Sequence, residues 1–466
     1  MRFHPGRTDA GLSNGEAVEL TITGLAGGGD GVSRYQGRVV FVPGSAPGDR
    51  VRARLTRVTW SWARASLLEV LQPGRDRRPP ACPLFGRCGG CQIQHLSPEA
   101  QLAFKRQVVA DALARIGGLG DVPVADCVPS PAWLGYRNKA QFPAAMVRDG
   151  RRWRLAAGIY APGTHSLVEV NDCPIQHPVN NRVLRETVAV ARELGLTAYD
   201  EDAGTGVLRH ILARVGARTG EAMLVLVTRE AELPRARTLV RELGRRLPEL
   251  TCIAQNVNPR RTNVILGERT RVLAGKPVIS ERLGRFHFAL SPGSFFQVNS
   301  AQAEAMCRLA AEQAVPTPGG TVLEVYAGIG TISLFLAERA EMVLGVESHR
   351  PAVEDARRNA AANRVGNVRF LAGEAERVLP DLTRSGLSPA AVVLDPPRKG
   401  CAPSVLQAVA DLRPMRVVYV SCDPATLARD LAILARRGYQ AQAVVPLDMF
   451  PQTAHVEAVA TLTGSP

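Results

Sequence analysis

Three short stretches in the last third of the chain carry side chains able to do chemistry. The first is Tyr326-Ala327-Gly328-Ile329-Gly330-Thr331, which follows the apolar run TVLEV and leads into a helical pattern. Glycines at 328 and 330 let a backbone turn tightly at the end of a strand and approach a ligand. Nineteen residues beyond Gly328, the run MVLGVE ends in Glu347, and a carboxylate at that spacing accepts both ribose hydroxyls of a nucleoside cofactor. The loop is G-x-G rather than G-x-G-x-x-G, and Glu324 stands just before it. A carboxylate there repels a pyrophosphate and welcomes the cationic methionine end of S-adenosyl-L-methionine, so charge selects a methyl donor over a dinucleotide.

Two further strand-like runs end in reactive groups: AVVL in Asp395-Pro396-Pro397-Arg398-Lys399-Gly400, and RVVYV in Ser421-Cys422-Asp423-Pro424. Near the end, DMFPQTAHVEAVA sets Glu457 among apolar residues, where burial raises a carboxyl's pKa and suits it to general base work. A thiol and a carboxylate beside a methyl donor have a specific use. Carbon 5 of uracil is a poor nucleophile until a thiolate adds at carbon 6 and makes carbon 5 enolate-like. A base must then take the carbon 5 proton so that the thiol can leave.

These groups need a scaffold that brings strand ends together. From about residue 321 strand and helix patterns alternate regularly, which argues for a parallel sheet covered on both faces, with ligands at the carboxyl ends of its strands. Residues 97–118 read as an amphipathic helix capped by Ser97, turning Leu102, Phe104, Val108, Leu113 and Ile116 inward and ending at Gly117. Residues 125–285 mix strands and helices. Residues 15–72 read as short strands broken by Gly and Pro, the pattern of a small barrel, with Gly27-Gly28-Gly29 as a hairpin turn rather than a phosphate loop. QPGRDRRPP (72–80) reads as a linker.

At 466 residues the chain exceeds one compact core, so two or three domains are expected. No run of about eighteen uncharged apolar residues and no secretory h-region occurs, which points to a cytoplasmic protein away from membranes. The net charge of +14 favours a polyanionic partner. Basic residues crowd between Arg50 and Arg78 and again between Arg137 and Arg154, where six face Asp149 alone. Arg50, Arg52 and Arg54 alternate along one strand face, and Trp60 and Trp62 are placed to share a face that stacks bases or enters the core. Among nine cysteines, Cys82, Cys88 and Cys91 fall within ten residues as C-x5-C-x2-C. Zinc and an iron–sulfur cluster both suit such thiols, each normally with four protein ligands.

LEVYAGIGTISL, LDPPRKG, VSCDPATLARDL and DMFPQTAHVE resemble the successive motifs of the RNA uracil-5-methyltransferases. The chain is most similar there to the iron–sulfur 23S ribosomal RNA enzymes with an N-terminal TRAM domain. The resemblance implies an α/β fold: an OB-like barrel (TRAM, 12–75), an α+β central iron–sulfur domain (76–96 and 125–285), and a Rossmann-like methyltransferase domain (97–124 and 286–466). It implies Cys422 as nucleophile, Glu457 as base and Asp395 at the uracil edge. Gln297, Tyr326, Thr331, Glu347, Glu374 and Asp395 match donor-binding positions, beside Gly328 and Gly330 of the turn. Thr331 and Glu374 stand where many members carry Asn. A [4Fe-4S] cluster would use Cys82, Cys88, Cys91 and, as fourth ligand, Cys173 of VNDCPIQH. Tyr136-Arg137-Asn138-Lys139 resembles a segment that contacts substrate. The implied substrate is a uridine of large-subunit ribosomal RNA in a loop or remodelled helix, since a base inside a stem must be extruded. No obligatory protein partner is implied. The same chemistry on a transfer RNA uridine is the alternative. Radical S-adenosylmethionine enzymes use C-x3-C-x2-C with an open iron, unlike this spacing. A non-catalytic iron–sulfur RNA-binding protein would have no need of Cys422, Glu457 and Asp395 together.

Overall fold

The computed structural model describes residues 12–464. The chain divides into two compact units: residues through Phe104 with Gln452–Ala454, and Lys105–Pro451 with the residues from His455 on.

In the first unit, β1 (Ala17–Thr21), β2 (Gly24–Leu25), β3 (Gly31–Tyr35), β4 (Arg38–Val42), β5 (Arg50–Val58) and β6 (Trp62–Gln72) form one six-stranded sheet in the order β1-β5-β6-β4-β3-β2. The period-2 pattern of β5 buries Val51, Ala53 and Leu55 and turns Arg50, Arg52 and Arg54 outward, as alternation demands. Two of those arginines already face acids: Arg50 lies 2.8 Å from Glu19, and Arg52 lies 3.5 Å from Glu19 and 3.4 Å from Glu69. The glycine run turns β2 into β3, with Gly29 N–H donating to Ala26 O at 2.8 Å. The two tryptophans do not share a face. Trp60 sits in the β5–β6 turn, 89% exposed, while Trp62 packs edge-on to Phe41 with the Arg57 guanidinium 5.3 Å from its ring. Nor is 72–80 a free linker. Buried Asp49 accepts from Gly74 N–H at 2.8 Å and pairs with Arg77, tying the segment back to the sheet. A Cβ on Gly74 would meet Pro47 O at 2.3 Å, so this close approach requires glycine.

Helix α1 (Pro98–Ala112) begins where expected, with Ser97 Oγ accepting from Ala100 N–H at 3.3 Å. A wide π-turn over Leu113–Gly117 follows, and left-handed Gly118 closes it, one residue beyond the expected stop. The extra residue in the turn rotates Ile116 away from the core, leaving it 54% exposed, whereas Val109 and Leu113 are buried.

A seven-stranded mixed sheet follows, built from β7 (Lys139–Asp149), β8 (Arg152–Tyr160), β9 (Leu167–Glu169), β10 (Leu208–Val215), β11 (Ala222–Thr228), β12 (Leu250–Val257) and β13 (Arg269–Gly275). Its order is β13-β12-β11-β10-β7-β8-β9, with α2 (Pro178–Glu193) and α3 (Ala236–Arg246) in the connections. A hairpin of β14 (Ile279–Leu283) and β15 (Phe286–Leu290) leads to α4 (Ser300–Ala314).

The last region alternates strand and helix, as the pattern predicts: β16 (Thr321–Val325), α5 (Thr331–Leu336), β17 (Met342–Glu347), α6 (Arg350–Ala362), β18 (Val368–Ala372), α7 (Ala375–Arg384), β19 (Ala391–Leu394), α8 (Pro403–Asp411), β20 (Arg416–Ser421) and α9 (Pro424–Ala435). The strands β21 (Tyr439–Leu447) and β22 (Glu457–Gly464) complete a sheet of order β18-β17-β16-β19-β20-β22-β21. The first five strands in that order are parallel, and β22 runs antiparallel between β20 and β21. One apolar layer joins the sheet to α4, α5 and α6, and a second joins it to α7, α8 and α9. The chain crosses from one half of the sheet to the other between β16 and β19, and ligands of open α/β sheets bind in the crevice such a switch creates. Among the described residues, no helix is long and apolar enough to cross a membrane.

Candidate active site

The crevice at these strand ends is a cavity of about 880 Å³, within the range of small-ligand sites. Gln297, Tyr326, Gly328, Thr331, Glu347, Glu374, Asp395, Cys422 and Glu457 all line it. Gly330 does not. Its positive φ of 81° starts α5, and a Cβ there would meet Phe370 at 2.9 Å, so packing and backbone conformation demand glycine at that position.

The turn after β16 holds Tyr326 in the left-handed region at φ 69°, a conformation that is uncommon for a bulky side chain. It presents the Gly328 N–H to Glu347 Oε2 at 3.0 Å, while His349 N–H donates to Oε1 at 2.7 Å. Glu347 is therefore fixed by two backbone donors at the cavity wall. Behind it, Glu324 is 1% exposed and accepts from the Ser333 hydroxyl. Burial pushes the Glu324 carboxyl up to about 8; the Ser333 bond opposes this, and Asp395 and Glu347 add to it. Burial likewise pushes Asp395 up to about 7. A pocket holding several carboxyl groups suits a ligand with a cationic end.

Cys422 follows β20 directly. Asp423 caps α9 by accepting from Ala425 N–H at 3.0 Å and Thr426 N–H at 2.9 Å, which fixes the sharp turn that carries the thiol. Because β22 is antiparallel to β20 and pairs Ala458 with Ser421, the first residue of β22, Glu457, arrives beside Cys422. Glu457 is 1% exposed, and one of its carboxyl oxygens has no hydrogen-bond partner among the described residues. Burial, with Asp395 adding to it, holds that carboxyl well above its ordinary range, while Arg398 pulls it down. Burial pushes the Cys422 thiol to about 11, with Glu457 raising it further and Arg398 opposing. The site thus sets a thiol and a carboxyl side by side, both pushed toward their uncharged forms by burial. A thiol that adds and a carboxyl that relays a proton are the groups a carbon-methylating site requires.

Several lining residues escaped the motif reading. Arg398 and Cys401 lie in and just after LDPPRKG, and Phe450 lies within DMFPQTAHVE, so the motifs contained them without marking their roles. Lys105 gave no signal at all. It is fully buried, pairs with Asp448 and donates to Phe450 O at 2.9 Å, anchoring the segment that carries Phe450 to the cavity. Within the expected substrate segment, Asn138 is spent internally. Its Nδ2 donates to Gln297 O at 3.0 Å and Ser300 Oγ at 2.9 Å, so it steadies the loop bearing Gln297. Tyr136 is buried, its hydroxyl donating to Pro451 O at 2.9 Å.

The thiols of Cys82, Cys88 and Cys91 lie in a run of turns in the first unit. Cys88 Sγ accepts from Gly90 N–H at 3.4 Å, and burial, then nearby Cys82, raises its thiol. Among the described residues, no three His, Cys, Asp or Glu side chains gather as a metal-holding group. Cys173 is buried in the second unit.

The doubly wound sheet with a glycine turn and an acidic strand end is the fold of S-adenosylmethionine-dependent methyltransferases. Residues 267–464 match the tRNA (Uracil-5-)-methyltransferase family, and residues 12–68 match the TRAM domain. The chain is 43% identical over 456 residues to an uncharacterized RNA methyltransferase of Halalkalibacterium halodurans, covering 98% of this chain and 99% of that protein. It is also 43% identical to one of Synechocystis, covering 96% of each. The crystal structure of Pyrococcus abyssi tRNA (uracil-54, C5)-methyltransferase in complex with S-adenosyl-L-homocysteine superposes with a TM-score of 0.77 at 31% identity, over 96% of this chain and 99% of that one. The chain belongs to the RNA uracil-5-methyltransferase family and carries an N-terminal TRAM domain. It is an RNA methyltransferase whose methyl donor is S-adenosylmethionine.

Proposed function

We propose that the protein methylates carbon 5 of a uridine in 23S ribosomal RNA through a covalent Cys422 adduct. The observation that carries this reading is the cross-strand placement of Glu457 beside Cys422, at the floor of a cavity also walled by Glu347 and Asp395. When bound, S-adenosylmethionine supplies an electrophilic methyl group. Glu347 would accept its ribose hydroxyls, Gln297, Tyr326, Thr331 and Glu374 would enclose the rest, and Glu324 and Asp395 would favour its cationic end. Asp395 also holds the uracil edge. Cys422 gives its proton to solvent and bonds as thiolate to carbon 6, and the nucleophilic carbon 5 then takes the methyl group as the methyl–sulfur bond of the donor breaks, leaving S-adenosylhomocysteine. Glu457, ionised after giving its own proton to solvent, takes the carbon 5 proton, the carbon 6–sulfur bond breaks, and methylated RNA leaves with the thiolate restored and Glu457 reprotonated.

RNA substituted with 5-fluorouracil tests the chemistry, because fluorine cannot leave as a proton does. The wild type should form a denaturant-stable complex and Cys422→Ala should form none; an adduct in the variant refutes the assignment. A transfer RNA uridine is the second reading, favoured by the likeness to the Pyrococcus abyssi enzyme. Mapping 5-methyluridine in both RNA classes from a strain lacking the gene separates the two.

We further propose that Cys82, Cys88, Cys91 and Cys173 ligate a [4Fe-4S] cluster that supports folding and RNA affinity rather than the chemistry. The sulfur-only donor set and the N–H···S bond at Cys88 support it. Protein purified without oxygen should contain about four irons per chain. Each of these four cysteines should be needed for the iron, and Cys127, Cys252, Cys307 and Cys401 should not. One tightly bound zinc in colourless active protein would overturn the cluster and spare the methyltransferase.

A further inference from the structure

The β7–β8 hairpin carries a basic cluster that the cavity does not use. Its tip turns at Gly150, and Arg148 pairs directly across from Trp153. Trp153 is 66% exposed, although Leu155, the next residue on the same strand face, is 1% exposed and already seals the sheet there. The indole therefore contributes little to the core. Arg148 donates to Gly150 O at 3.2 Å, and among the described residues none of Arg148, Arg151 and Arg152 is ion-paired with a carboxylate. The nearby acids are engaged by Arg154, which lies 3.1 Å from Asp149 and 2.7 Å from Glu169. An exposed indole with Arg148 directly across from it, and two further uncommitted arginines in the same hairpin turn, calls for a ligand with two features: a flat π-surface and a chain of negative charges. Single-stranded nucleic acid has both, and base stacking on an aromatic side chain tolerates any base.

We infer that this hairpin tip is an RNA contact separate from the uridine cavity, in which Trp153 stacks on an unpaired base and Arg148, Arg151 and Arg152 meet the flanking phosphates. The inference rests on the RNA substrate proposed above. Its reach follows from the strand. Asn138, just before β7, bonds to the Gln297 loop at the cavity, and the ten residues from there to Arg148 span roughly 33 Å at about 3.3 Å each. The stacked base is accordingly several nucleotides away from the methylated uridine, about ten if the intervening strand is helical at about 3.4 Å per step. Such a contact selects among RNAs by what lies beside the target.

The test compares two RNA fragments centred on the mapped target uridine, one extending about fifteen nucleotides to each side and one of about five nucleotides in all, too short to reach the tip. Trp153→Ala should raise KM for the long fragment by about 5- to 150-fold, as expected for one lost base stack. KM for the short fragment and for the methyl donor should not move, and Trp153→Phe should restore most of the loss. Arg152→Gln should lower the slope of log affinity against log salt by about 0.7 on the long fragment. Direct titration of the same fragments without donor reads the contact even where methylation fails, which separates this inference from the methyltransferase reading. Unchanged affinity of Trp153→Ala for the long fragment overturns it. So does an equal loss on both fragments, or a lost protein partner with RNA affinity intact.

Discussion

Glu457 is the site's most exacting test, because glutamine keeps its shape and removes its ability to accept a proton. Glu457 is 1% exposed, and burial holds its carboxyl well above the usual carboxylate range. The new amide hydrogens of Glu457→Gln enter a place where one carboxyl oxygen already lacks a partner, at a cost to the fold of about 1–3 kcal/mol. Catalysis should suffer more. Losing a positioned base costs about 10²–10⁴ in rate, or roughly 2.7–5.4 kcal/mol at about 1.36 kcal/mol per decade. The step lost is the one after methyl transfer, so the variant should methylate one RNA per active site and stop with Cys422 still bonded to carbon 6. Labelled methyl followed through denaturing gels should show the label on a protein–RNA band instead of on free RNA. Multiple turnover at the wild-type rate would refute the role of Glu457. Loss of methyl transfer itself, with no adduct, would place the group earlier in the reaction than argued.

Arg398 pulls down both the Cys422 thiol and the Glu457 carboxyl, so Arg398→Gln should shift the acid limb of the pH–rate profile to higher pH; an unmoved profile would remove Arg398 from the electrostatics. For Glu324, the folded value of about 8 lies above the ordinary 4.5, so its contribution to stability is full below about pH 4.5 and is lost as pH rises through 8. The melting temperature of the unliganded protein should carry that slope, and Glu324→Gln should flatten it, while a slope identical in both would show that Glu324 is not the titrating group. Lys105→Met strands the buried Asp448 carboxylate and should destabilise the second unit by about 3–5 kcal/mol, read by denaturant unfolding; a loss under about 1 kcal/mol would mean that the pair is dispensable.

What could be read before the fold was known follows from how local each constraint is. The glycine turn and Glu347 sit on consecutive strands of one βαβ unit, so their spacing along the chain maps directly onto their spacing in the cavity. Cys422 and Asp395 were legible for a similar reason, each ending an apolar run that could only be a buried strand. The pairing of Cys422 with Glu457 is another matter. It depends on β22 entering antiparallel between β20 and β21 with Ser421 opposite Ala458, and nothing within either segment states that register. The same limit explains the misreadings. Lys105 gave no signal because its partner, Asp448, is 343 residues away. Ile116 followed the 3.6-residue period until one π-turn broke it. Arg50 and Arg52 looked like a bare basic stripe because Glu19 lies on the neighbouring strand. For Lys105 and the two arginines the missing information was a contact between distant parts of the chain. Such contacts also decide whether a charged group is spent or available: Arg52 is spent on two acids, while Arg148, Arg151 and Arg152 are uncommitted. An arginine count can thus point to a polyanion, and only the pairing of each arginine tells where that polyanion should lie.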